Sequence, residues 1–117
     1  PSSYVQYAIH RYTDMRALGI CDTPVSLVEQ IAGVLELSCD ELEFDYVGMH
    51  HAGWVVGVRH LGRDMMPQVL ERAEAMASLG VDPELIRAVG AVPSRYFRYY
   101  FHPERMLMNE KSKRANP

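Results

Sequence analysis

Apolar residues recur at helical spacing near the start of the chain, where Val5, Ala8, Ile9 and Tyr12 share one face of an amphipathic helix over residues 3–12. A short strand is predicted from Arg16 to Cys21, closing the apolar run ALGIC. Asp22 or Thr23 then caps a helix with Pro24 at its first position, and Val25, Leu27, Val28, Ile31, Val34 and Leu35 give that helix a wide apolar face. From Leu42 to Met49 the period changes to two, with Leu42, Phe44 and Tyr46 alternating, and Gly48 breaks this strand just before a pair of histidines. Trp54 to His60 is a second strand, so a β-hairpin is predicted, followed by turn chemistry in LGRD. Met65 to Leu79 returns to helix, with Pro67 in the first turn and Gly80 closing it. Pro83 opens another helix that Pro93 ends, and residues 94–114 form a last helical stretch kinked at Pro103. The result is a mixed α/β (α+β) chain without internal repeats.

Composition narrows the possibilities. The chain has 117 residues, 48% of them hydrophobic, which suits one domain of ordinary size with a modest core. Its 12 basic and 15 acidic side chains are dispersed and sum to a net charge of −3, so no electrostatic footprint for nucleic acid or an anionic membrane is present. The apolar stretches are short and interrupted, giving neither a membrane span nor a secretory signal, and a cytoplasmic location is expected. Two cysteines do not make a disulfide framework. In a reducing compartment they read as packed thiols, ligands or nucleophiles, with Cys39 in a helix-to-strand connection and Cys21 ending a buried run. The sequence begins at Pro1 without an initiator methionine and reads as a segment of something longer.

Two constellations carry possible chemistry. The Cys21 thiol and the His50-His51 imidazoles are ligand types that a borderline-soft divalent metal accepts. Cys21 and His51 lie thirty residues apart, so only the fold can bring them together. Taken singly, the ordinary reading is the stronger: a small buried thiol, and a histidine packed against Trp54. In AVPSRYFRYYF, Tyr96, Tyr99 and Tyr100 crowd beside Arg95 and Arg98, with Tyr96 and Tyr100 four apart on one face. A phenol beside a cation has its phenolate favoured and can serve as a base, whereas most such clusters only seal a helix against a core. Asp14 to Arg16 and Arg63-Asp64 read as solvated charge, and His10, His60 and His102 have no partner identifiable from sequence.

The order of three blocks, GICDTP, GMHHAGW and PSRYFRYY, resembles the family-four glycoside hydrolases, the last block being most like their 6-phospho-β-glucosidase members. The resemblance runs over essentially the whole chain. It implies that residues 1–22 are the last helix and strand of an N-terminal NAD-binding Rossmann domain, Pro1 aligning with the proline of an Asn-Pro pair near that domain's end. Residues 23–117 would be part of a lactate/malate-dehydrogenase-like C-terminal substrate domain. Cys21 and His51 fall on the family's metal ligands and Tyr96 on its general base, with Tyr99 and Tyr100 as lesser choices. Asp22, His50 and Arg98 become substrate contacts, Arg98 because a guanidinium fork suits phosphate oxygens. The pattern departs from the family at His50 and Asp22, where asparagine is usual.

The implied activity is hydrolysis of (6-phospho-)glycosides by oxidation at the sugar C3, elimination, water addition and reduction, with NAD and a divalent metal, manganese first, as cofactors. This differs from two-carboxylate glycosidases. The chain lacks a G-x-G-x-x-G turn of its own, so this segment alone is not expected to turn over substrate. Its partners would be a phosphorylated sugar or glycoside and further copies of itself, through apolar surface left uncovered on such a segment. Two other readings compete. A 2-hydroxy acid dehydrogenase should carry an arginine-bearing block after ALGI, where DTPVSL has none. A non-catalytic scaffold with a degenerate site would account for His50.

Overall fold

The computed structural model describes residues 2–115. Pro1, and with it the expected alignment to an Asn-Pro pair, lies outside the described residues. Helix α1 (Ser2–Tyr12) comes first, and residues 15–22 follow without regular structure. The strand predicted at Arg16–Cys21 is therefore absent, and its apolar side chains are not buried: Leu18 is 82% and Ile20 79% exposed. The physical reason is that an extended segment becomes a strand only with a hydrogen-bonded neighbour, and here the amides of Ala17 and Gly19 are taken by α1 side chains, His10 Nε2 and Gln6 Oε1.

Helix α2 (Thr23–Leu35) has Asp22 at its N-cap and buries Leu27, Ile31, Ala32 and Leu35. A short 3-10 turn at Cys39–Glu41 leads into strands β1 (Leu42–Met49) and β2 (Ala52–His60), the expected antiparallel hairpin. Gly48 does not end β1, which runs on to Met49. At Gly48 φ is 111°, and a Cβ there would stand 2.2 Å from the carbonyl oxygen of Ala52, so glycine lets the two strands close up near the turn. Between Asp45 and Tyr46 the register slips, leaving Val56 without a partner on β1. Such a bulge bends the strand beyond it.

Strand β3 (Arg63–Asp64), expected to be plain surface charge, pairs with the end of β2, and Asp64 Oδ1 accepts from the Met66 amide at the next helix start. The predicted helix Met65–Leu79 is two pieces, α3 (Met66–Glu71) and a 3-10 stretch (Ala73–Leu79), separated where Arg72 leaves helical geometry, and the second piece is kinked again at Met76, whose side chain is packed in the core. Tertiary packing has overridden propensity there. Helix α4 (Pro83–Val89) ends at Gly90, not at Pro93. Pro93 instead belongs to β4 (Val92–Pro93), which pairs with Trp54 and Val55 of β2. A 3-10 turn (Arg95–Phe97), α5 (Arg98–Phe101) and α6 (Pro103–Ala115) complete the chain.

The core lies between the sheet and the helices α2 to α4, around Val55, Val58, Ile31, Val69, Met76, Ile86 and Val92. Among the described residues no helix is long and apolar enough to cross a membrane. Both cysteines are free thiols.

Arg87 ties this helical layer together. It donates to the Leu70 carbonyl and pairs with Glu84 and, closely, with Glu74. The hydrogen bond from Arg87, aided by its charge, holds the Glu74 carboxyl below the ordinary carboxylate range. A lowered folded-state value means that the contribution is present above the unfolded value and is lost as pH falls through the folded one. The contribution of this pair to the melting temperature should therefore be constant from about pH 7 down to the carboxylate range and fall below it. Glu74→Gln should flatten part of that fall, as thermal scans at each pH would show.

Candidate active site

The hairpin turn that carries the two histidines is held from both sides. His50 and His51 are the two residues between Met49 and Ala52, which face one another across the strands. His50 adopts a left-handed φ of 50°, a conformation histidine enters more readily than most side chains. Tyr46 Oη donates to the His50 carbonyl at 3.0 Å, and Ser94 Oγ donates to the His51 carbonyl. Tyr46 reaches that position across a bare backbone, since a Cβ on Gly53 would stand 1.8 Å from its hydroxyl. Burial, and secondly the nearby Cys21, pushes the Tyr46 phenol up, so it stays protonated and able to donate at neutral pH. Cys21 is half-buried just before α2, and its side chain is not among those lining the cavity at His51 and Tyr96.

The tyrosine block arrives from β4. Ser94, fully buried, donates its amide to the Gly53 carbonyl at 2.9 Å and accepts at its own carbonyl from Phe97 N at 3.1 Å. The intervening 3-10 turn lays the Tyr96 ring on His51, with centroids 3.8 Å apart and planes 12° from parallel. Phe97 packs on Trp54 at 4.6 Å and anchors the turn to the sheet. A cavity of about 220 Å³ opens there, lined by His51, Ala52, Tyr96, Phe97, Tyr99 and Tyr100. It offers an imidazole and phenols on an aromatic floor.

The structure thus brings together His51 and Tyr96, forty-five residues apart in sequence, and sets His50 beside them on the same turn. The Trp54 contact expected of the histidine falls instead to Phe97 and Phe101. Tyr99 and Tyr100 stand on the cavity rim, Tyr100 at 80% exposure. Asp22 is exposed and borders a narrow cleft with Thr23, Ser26 and Arg95. Arg98 lines a separate cavity of about 540 Å³ with Gly80, Asp82 and Arg105; its Nε is buried and without a partner, and its guanidinium lies over Tyr99. Two of the histidines without sequence partners have them here: His10 contacts the Ala17 carbonyl and His102 accepts from the Asp82 amide. Neither Ser94 nor Tyr46 is marked in the sequence as a functional residue. A serine after Pro93 signals only a cap, and Tyr46 only a core-facing strand position.

A thiol and an imidazole fit a borderline-soft divalent cation. Among the described residues no group of three or more His, Cys, Asp or Glu side chains gathers around a point.

A family model described as the family 4 glycosyl hydrolase C-terminal domain matches residues 46–116. Among curated relatives, a probable 6-phospho-beta-glucosidase of Bacillus subtilis (strain 168) is 27% identical over 94% of this chain and 27% of its own length. A maltose-6'-phosphate glucosidase of the same organism is 30% identical over 100% of this chain and 29% of its own. The chain therefore spans less than a third of the length of these relatives. Among solved structures, the 6-phospho-beta glucosidase from Thermotoga maritima, with manganese, NAD+ and glucose-6-phosphate, superposes with a TM-score of 0.69 at 19% identity, covering 96% of this chain and 28% of that one.

Proposed function

The chain belongs to the family 4 glycosyl hydrolases, through their C-terminal domain, and from that premise we propose that it is the substrate-domain portion of an NAD- and divalent-metal-dependent 6-phosphoglycosidase. One observation carries the reading: the candidate ligand His51 and the candidate base Tyr96 stack at 3.8 Å in a shared cavity. When bound, NAD would supply a reversible hydride acceptor and the metal, manganese in the first place, a Lewis acid for a developing enolate. Cys21 and His51 would hold the metal. Tyr96 would take the acidified C2 proton on its phenolic oxygen, and the aromatic wall of Phe97, Tyr99 and Tyr100 would limit water on one side of the sugar. His50 and Asp22 are the proposed partners for substrate hydroxyls. Arg98 is proposed for the anionic group, from the neighbouring cavity.

The same reading gives residues 1–22 to the end of an NAD-binding domain and 23–117 to the catalytic domain. Supporting it, α1 and the segment after it expose Tyr4, Val5, Tyr7, Tyr12, Met15, Leu18 and Ile20, an apolar surface suited to burial against a sheet. Self-association and a cytoplasmic location belong to the proposal as well.

The test is release of the aglycone from a chromogenic 6-phosphoglucoside by the full-length protein. Turnover should require both NAD+ and Mn2+, with no net NADH formed. Turnover without NAD+ would refute the proposal, and NADH accumulating with a 2-hydroxy acid instead would establish the dehydrogenase reading.

A further inference from the structure

We propose that Ser94 is a positioning residue that sets His51 against Tyr96, with Tyr46 as its counterpart on the other side of the turn. The proposal rests on the metal-and-base reading of the site for its functional meaning, and on hydrogen-bond geometry for its substance. Ser94 is completely buried, yet all three of its polar groups are used: the amide and hydroxyl reach the hairpin bearing the histidines, and the carbonyl closes the turn bearing the tyrosine. The amide bonds to Gly53 O, the hydroxyl to His51 O and the carbonyl to Phe97 N. Only Arg95 separates Ser94 from Tyr96 in sequence, so one side chain fixes both halves of the stack. Without the hydroxyl, the His51 carbonyl loses its donor and the turn its side-chain hydrogen bond to the tyrosine-bearing element.

Tyr46 completes the arrangement, because its hydroxyl takes the adjacent His50 carbonyl. Two side-chain donors from opposite directions thus hold two successive carbonyls of a two-residue turn. A turn of this kind otherwise has only the strand pairing at its base to orient it, and its exposed His51 would sample several directions. Groups that hold a metal ligand in place commonly change affinity by about 10–100-fold when removed.

The experiment uses full-length protein with 13C-labelled histidine. The His51 ring protons, stacked on a phenol, should resonate upfield, and Tyr96→Leu identifies them by removing that displacement. Ser94→Ala should lose most of the displacement and weaken Mn2+ binding about tenfold by calorimetry. Tyr46→Phe, which deletes only a hydroxyl, should do so to a lesser degree, and Ser94→Thr should restore part of both. Val69→Ala, in the core away from the turn, serves as control: it should lower the melting temperature and leave shift and affinity alone. An unchanged shift in both Ser94→Ala and Tyr46→Phe, or an equal loss in Val69→Ala, would overturn the inference. If the wild type shows the upfield shift but no Mn2+ binding, the metal reading fails while the positioning role stands or falls on the shifts.

Discussion

Tyr96→Phe should lower turnover of a 6-phosphoglucoside by about 10²–10⁴-fold, the span typical of losing a positioned general base. Fold and metal affinity should be nearly untouched. The contact with His51 is made by the ring, which phenylalanine keeps, so the variant removes the proton acceptor without disturbing what holds the histidine. The neighbouring tyrosines give the contrast. Tyr100 is largely exposed, and the Tyr99 hydroxyl already lies 3.3 Å from an Arg98 nitrogen. Tyr99→Phe and Tyr100→Phe should each stay within about tenfold of the wild type. Measuring kcat together with exchange of the C2 proton into deuterated water separates the cases, since loss of the base suppresses exchange as well as turnover. A Tyr100→Phe enzyme as impaired as Tyr96→Phe would move the base to the cavity rim.

The parts of this fold that could be read from the chain are those whose information is local. The alternation of Leu42, Phe44 and Tyr46 marked β1, and the apolar face from Leu27 to Leu35 marked α2. Elements fixed by distant neighbours were not legible. Two residues, Val92 and Pro93, are too few to show any period, and they are a strand only because Trp54 and Val55 lie beside them. Arg16 to Cys21 has strand composition and no partner to make it one. The departures from helix at Arg72 and Met76 fall on ordinary side chains and leave no glycine or proline as a mark.

The candidate site divides along the same line. Residue types and block order pointed to Cys21, His51 and Tyr96, but nothing local says that an imidazole and a phenol so far apart should stack. That contact depends on β4 pairing with β2 and on the turn held by Ser94. Where Arg98 sits was equally illegible: its stem crosses Gly80, whose φ of 71° and missing side chain make room for it, and its guanidinium lies over Tyr99.

The second large effect is expected at the metal. His51→Ala and Cys21→Ser should each weaken Mn2+ binding to the full-length protein by at least about 10²-fold, because removal of a mere supporting group already costs 10–100-fold. The two variants should differ otherwise. His51→Ala also strips the face from Tyr96 and opens the cavity, so it should alter the tyrosine's fluorescence and activity even where excess Mn2+ saturates the site. Cys21→Ser leaves the stack in place, and excess metal should recover more of its turnover. His50→Ala is the control within the turn. Its contribution there is the carbonyl that accepts from Tyr46, and alanine retains a carbonyl, so affinity should change by less than about tenfold. A larger loss in His50→Ala than in His51→Ala would show that the departure from the family's usual asparagine has moved the ligand by one residue. Unchanged affinity in both His51→Ala and Cys21→Ser would show that the pairing of thiol and imidazole has no part in holding the cation.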